Sequence, residues 1–80
     1  MSREENLRQK VLGGRADANI GFDELRRLLL RLGFAERVRG GHHIFRKEGV
    51  RGLINLQRDG RQAKPYQVRQ VRQTIVRNNL

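Results

Sequence analysis

An 80-residue chain with 18 Lys+Arg against 8 Asp+Glu, a formal charge of +10, has room for one small domain, or for a domain with an N-terminal appendage. A chain this short buries only roughly 60% of its unfolded surface, and with 36% apolar residues its core has to be compact. The absence of Cys excludes a disulfide framework, a thiolate zinc site and a cysteine nucleophile. No apolar run approaches the ~18 residues of a membrane span, and no signal-peptide segment follows the start, so the expected location is the cytoplasm.

The charge is uneven. Residues 1–24 carry four basic and five acidic groups, whereas residues 25–80 carry fourteen basic groups against Glu36, Glu48 and Asp59. Fifteen of the eighteen cations are Arg, which grips phosphate with two parallel hydrogen bonds. A balance this basic points to a polyanion partner, because each phosphate contact releases condensed counterions.

In chain order, residues 3–12 read as a short helix with Ser2 as N-cap, Glu4 and Glu5 in its first turn, and Gly13-Gly14 as its stop. Its apolar content is thin (Leu7, Val11, Leu12), and 15–21 reads as a loop. Residues 1–20 are therefore expected to form an extension that docks weakly or frays, ahead of a domain over 21–80. A second helix is better signalled. Gly21 serves as N-cap, Glu24 stands at N3, and Ile20 with Leu25 forms a hydrophobic staple. Leu25, Leu28, Leu29 and Leu32 make one apolar stripe, with Arg26, Arg27 and Arg31 off it, and Gly33 ends the helix.

Strand character follows over Phe34–Arg39, with Phe34, Glu36 and Val38 on one face. Gly40-Gly41 supplies a tight turn into a second strand, His42–Lys47. After a turn at Glu48-Gly49 comes a third strand, Arg51–Gln57. Residues 58–63 are polar and loop-like. Pro65 then opens a last helix with Val68, Val71 and Ile75 on one seam and Arg69, Arg72 and Arg77 elsewhere. The expected fold is α+β: two helices on one face of a three-stranded antiparallel sheet, in the order α-β-β-β-α, plus the N-terminal helical extension. The other sheet face is left open to a partner.

Chemistry centres on His42-His43. Neighbours on a strand point to opposite faces, so one histidine faces the helices and the other faces away. If Ile44 turns inward, His42 goes with it; if Phe45 turns inward, His43 does. Alternation alone leaves both open. The functional reading is an imidazole acting as acid or base in phosphodiester cleavage. Arg37, Arg39, Arg46 and Lys47 are then expected nearby, disfavouring the imidazolium and stabilising charge on phosphate. The bland reading is two ordinary strand histidines, one hydrogen-bonded and one solvated. Adjacent strand histidines diverge and no carboxylate stands at ligand spacing, so neither a metal site nor any other cofactor is expected. Gly40-Gly41 matches no phosphate-binding loop, and Ser2 is the only serine. Asp23 is explained by the helix N-terminus beside it. The Arg61…Lys64-Pro65 stretch, at the start of the last helix, could seat a phosphate.

These residues also carry a resemblance. Phe22-Asp23-Glu24-Leu25 leading to Leu32-Gly33-Phe34, then Gly40-Gly41-His42-His43-Ile44-Phe45, then a short strand and a final helix, resembles the HicA family of toxins from about Ile20 to Leu80. The resemblance implies a small ribosome-independent RNase that cleaves mRNA, with a double-stranded-RNA-binding-domain-like fold. It places the catalytic imidazole at His43, with His42 in a more variable slot. It further implies a HicB-type antitoxin covering the histidine face, the free toxin being a monomer and the complex a larger assembly. Two departures stand out. Gly41 replaces the family's usual Ser, and Leu53-Ile54-Asn55-Leu56-Gln57 lacks the Pro and His that many relatives carry after it. The alternative function is a non-catalytic RNA-binding module, in which Arg61 and Lys64 at the last helix would meet phosphates.

Overall fold

The structure, a computed structural model, describes residues 3–80, with side chains from residue 5 onward; the expected Ser2 cap and the Glu4 side chain lie outside the described residues. Its elements are α1 (Arg3–Gly13), a 3₁₀ turn (Asp17–Asn19), α2 (Phe22–Arg31), β1 (Ala35–Arg39), β2 (His42–Arg46), β3 (Ile54–Gln57) and α3 (Pro65–Asn78). The strands form one antiparallel sheet in the order β1-β2-β3. This is the expected α-β-β-β-α arrangement with a helix ahead of it.

Local chemistry accounts for most element ends. The Gly21 N–H donates to Glu24 Oε1 at 2.9 Å and the Gly21 carbonyl accepts from Leu25 N–H, so α2 starts where a residue without a side chain can be capped from N3. Gly33 has φ +99 and ends the helix in a conformation that other residues resist. Pro65 occupies the first turn of α3. Gln67, fully buried, accepts from Lys64 N–H through Oε1 and donates to the Gln57 carbonyl through Nε2, both at 3.3 Å, fastening the start of α3 to the end of β3.

The core lies between the helices and one sheet face. Leu25, Leu28 and Leu29 of α2 meet Phe45 of β2, Ile54 and Leu56 of β3, and Val68, Val71 and Ile75 of α3. Phe45 is fully buried whereas Ile44 is only half-buried, so it is Phe45 that turns inward. The larger ring fills the layer between sheet and helices, where each buried aromatic removes more apolar area from water.

The N-terminal segment is bound more firmly than its sparse apolar content predicts. Val11 and Ile20 are fully buried, with Leu7, Leu12 and Ala16 packed against the core. The reason lies in polar partners far away in sequence. Arg72 of α3 donates through Nη1 to the Val11 carbonyl at 3.1 Å and to Asp17 Oδ1 at 2.8 Å, and through Nη2 to Asp17 Oδ2 at 3.1 Å. Arg8 donates to the Leu80 carbonyl at 2.7 Å, and Lys10 to the Asn19 carbonyl at 3.1 Å.

The Asp17–Arg72 pair is mostly sheltered, with side chains 16% and 22% exposed. Arg72→Ala should cost about 2 kcal/mol in urea unfolding, because it strands a carboxylate and a carbonyl together. The hydrogen bond from Arg72 holds the Asp17 carboxyl below its ordinary value of 3.8, against the opposing effect of burial. A depressed folded pKa stabilises fully above the unfolded value and is lost as pH falls through the folded one. The gap between parent and variant should therefore be constant near neutrality and close below about pH 4. A gap unchanged at pH 3 would contradict this account.

Candidate functional site

The two-residue Gly40-Gly41 turn sets the pairing of β1 with β2: Arg39 faces His42, Val38 faces His43, Arg37 faces Ile44 and Glu36 faces Phe45. Because side chains alternate along each strand, Glu36, Val38, His43 and Phe45 share the helix-facing side, and Arg37, Arg39, His42, Ile44 and Arg46 share the other. This closes the choice left open by the sequence: His43 faces the helices.

It does so at the edge of the layer rather than in its middle. The His43 side chain is 14% exposed. Its ring stands edge-on to Phe22, the first residue of α2, with centroids 4.9 Å apart. His43 Nδ1 lies 2.8 Å from Glu36 Oε2, and the same oxygen accepts from Arg26 Nε at 2.7 Å. Arg26 reaches it from the flank of α2, off the leucine stripe. Glu36, 9% exposed, remains ionised: hydrogen bonding from Arg26, and then from His43, holds its carboxyl below the ordinary carboxylate range although burial pushes the other way.

A carboxylate only accepts hydrogen bonds, so the proton sits on His43 Nδ1. In the neutral ring Nε2 then carries the lone pair, and no protein group bonds to it. It is not a sealed atom either, since among the described residues no buried side-chain nitrogen lacks a partner. The neutral imidazole is thus held in one tautomer, with Nε2 not sealed from solvent.

The surroundings of that nitrogen differ from the expected ones. Val38, 54% exposed, pairs with His43 across the strands. Arg58 lies over the Phe22 ring, 4.4 Å from its centroid, and donates to Asp23 Oδ1 at 2.6 Å, with its side chain 44% exposed. The guanidinium and the imidazole therefore flank the same ring. Residues 61–63 run alongside: Phe22 N–H donates to the Arg61 carbonyl and Ala63 N–H to the Ile20 carbonyl, each at 2.8 Å. The backbone of residues 61–63, leading to the Lys64 cap of α3, thus runs beside the start of α2.

The other expected cations do not gather here. Arg37, Arg39 and Arg46 lie on the opposite sheet face with His42, whose Nδ1 is 3.3 Å from Asn55 Oδ1. Lys47 sits four residues along from His43, about 13 Å at a strand rise of ~3.3 Å per residue. Its ammonium is close enough to Gly33 that a Cβ there would lie 2.5 Å away, at the C-terminal end of α2, where a cation complements the helix dipole. These four stand away from the ring; the groups linked to it are Glu36 and, through it, Arg26.

Sequence reasoning missed Glu36, Arg26, Phe22 and Arg58. The register would have found Glu36, which shares a face with Val38 and hence with His43. Nothing in the local pattern marked Arg58. A groove between α1 and α2, lined by Leu7, Lys10, Leu28 and Arg31 among others, includes none of the residues around His43. Among the described residues no helix is long and apolar enough to cross a membrane, and no three His, Asp or Glu side chains converge as a metal-holding group.

Comparison with curated proteins and with solved structures produced no match. The model of one family, the HicA toxin of bacterial toxin–antitoxin pairs, matches residues 22–75, about two thirds of the chain. The matched span runs from Phe22 beneath the imidazole, through Glu36, His43 and Arg58, to the last buried residue of α3. The chain is a member of the HicA toxin family, the toxin half of a toxin–antitoxin pair.

Proposed function

We propose that this toxin is a metal-independent endoribonuclease that cleaves mRNA in the cytoplasm, with His43 as its acid–base group. The observation that carries the reading is the Arg26–Glu36–His43 chain, which fixes the imidazole through Nδ1 and leaves Nε2 without a protein partner. Nε2 takes the proton of a ribose 2′-OH, and the 2′-oxygen forms a bond to the adjacent phosphorus. The bond to the 5′-oxygen breaks, and that oxygen leaves with a proton returned from the imidazolium. The products are a 2′,3′-cyclic phosphate and a 5′-hydroxyl. Arg58, released from the exposed Asp23, together with Arg61 and Lys64, holds the phosphodiester while negative charge builds on it.

A HicB-type antitoxin is the proposed inhibitor. Laid over the Phe22–His43 side, an acidic partner would cover Nε2 and engage the same cations, binding the monomeric toxin into a larger assembly. Gly41, where relatives carry Ser, is exposed in the turn, and a Cβ there would meet nothing within 4 Å, so the turn has room for a serine.

Incubation of the purified protein with an unstructured RNA, in the presence of a chelator, is expected to give fragments ending in 2′,3′-cyclic phosphate. A 2′-deoxy substitution at the cleaved nucleotide should block the cut. Binding without fragments would instead establish the non-catalytic RNA-binding module.

A further inference from the structure

The outer sheet face has no part in the chemistry above, yet it holds a dense cluster of cations. Arg37 and Arg39 on β1 and Arg46 on β2 are all exposed there, with His42 and Asn55 beside them. No carboxylate shares the face: Glu36 points to the helices, and β2 and β3 contribute none. Among the described residues none of the three guanidiniums has a hydrogen-bond or ion-pair partner, in contrast to Arg8, Arg26, Arg58 and Arg72. The helices pack on the other side, so the face is uncovered.

We propose that this face is a track for the RNA backbone, binding the segment of a single strand that flanks the phosphate at His43; this rests on the ribonuclease reading. Arg37 and Arg39 stand two residues apart on one side of a strand, about 7 Å, a repeat that suits successive phosphates along an extended chain. Ile44, half-buried, is the one apolar side chain at the centre, and no Phe, Tyr or Trp is present. A single half-buried Ile ringed by unpaired arginines is a poor centre for a protein interface, whose core is typically depleted of charge and anchored by large aromatic side chains. With no Phe, Tyr or Trp to form a stacking platform, the contacts are chiefly to phosphates, so the track tolerates any sequence.

The route between the two faces is short. His42 and His43 are adjacent and point to opposite sides. The turn joining the strands, Gly40-Gly41, is exposed and has no side chain to obstruct a strand passing over it. One RNA can therefore cross the hairpin tip from the arginines to the imidazole.

The test removes the charges while keeping much of each stem, as Arg37→Gln/Arg39→Gln/Arg46→Gln. Binding is measured with a 2′-O-methyl RNA of about 20 nucleotides, which cannot be cut, so the result does not depend on catalysis. Affinity should fall at least about tenfold at low salt, and the slope of log K against log salt should become shallower by about 2, the single-strand value for three contacts. On cleavable RNA, kcat/KM for the long strand should fall in parallel, while a trinucleotide is cut at the parent rate. A control removing three exposed arginines elsewhere, Arg51→Gln/Arg69→Gln/Arg77→Gln, should lose much less. If the triple variant fails to fold, each single Arg→Gln change should flatten the slope by about 0.7.

Unchanged affinity, or an equal loss in the control, overturns the track. So does a variant that keeps its RNA affinity but no longer binds its antitoxin, which would assign the face to an acidic protein. Weakened binding with no cleavage by the parent leaves the track standing and removes the ribonuclease reading instead.

Discussion

Substitution of His43 by Ala is expected to lower RNA cleavage by about 10²–10⁴-fold, the range that a positioned acid–base group contributes. Arrest of growth on expression should disappear with it. The fold should survive, because the ring sits at the rim of the core: its loss removes the edge contact with Phe22, a contribution of about 0.5–1.5 kcal/mol, and the bond to Glu36, which keeps Arg26 as its partner. His43→Gln, closer in volume, guards against misreading a packing defect as lost chemistry. His42→Ala removes a ring from the outer face and should leave the chemical step intact. A folded His43→Ala protein cutting RNA at the parent rate would end the acid–base account.

The second large effect is expected at Glu36. Its carboxylate touches no substrate; it is a positioning residue, acting through the imidazole it holds. Glu36→Gln replaces an acceptor-only group by one that can also donate, so the tautomer with the proton on Nε2 becomes accessible and the reactive nitrogen loses its lone pair part of the time. We expect kcat to fall on the order of 10²-fold with KM nearly unchanged, because the phosphate-holding cations remain in place. A merely structural role would not shift the His43 tautomer. Nitrogen NMR of the ring should show Nδ1–H dominant in the parent and a mixture in Glu36→Gln. Glu36→Asp, one methylene shorter, should recover part of the rate if its carboxylate still reaches Nδ1. Full activity in Glu36→Gln, with the parent tautomer retained, would reduce the Glu36 contact to packing.

How far these assignments were legible in the sequence depends on the range of each contact. The leucine stripe of α2, the Gly40-Gly41 hairpin and Pro65 at the start of α3 are local signals, and all three elements form where those signals lie. The face occupied by His43 was not legible, because it turns on whether Ile44 or Phe45 fills the core, and packing decides that. Once Phe45 turns inward, alternation sends Arg37, Arg39 and Arg46 away from the imidazole, though they are its near neighbours in sequence. Conversely, Arg26 meets Glu36 across a helix–strand interface, and Arg58 meets Asp23 across 35 residues, where no periodicity points. The firm attachment of α1 escaped for the same reason: it depends on Arg72, 55 residues beyond Asp17.

That last distance bears on when the toxin becomes dangerous to the cell that makes it. Ile20 and Phe22, on which the imidazole leans, are bonded through their backbones to residues 61 and 63, and α1 is fastened by Arg72. Contacts of such long separation form only after the intervening chain is present. A ribosome synthesising this protein therefore carries an unassembled His43 site until α3 has emerged, and an interrupted message ending before that point yields a product in which that site is unfinished.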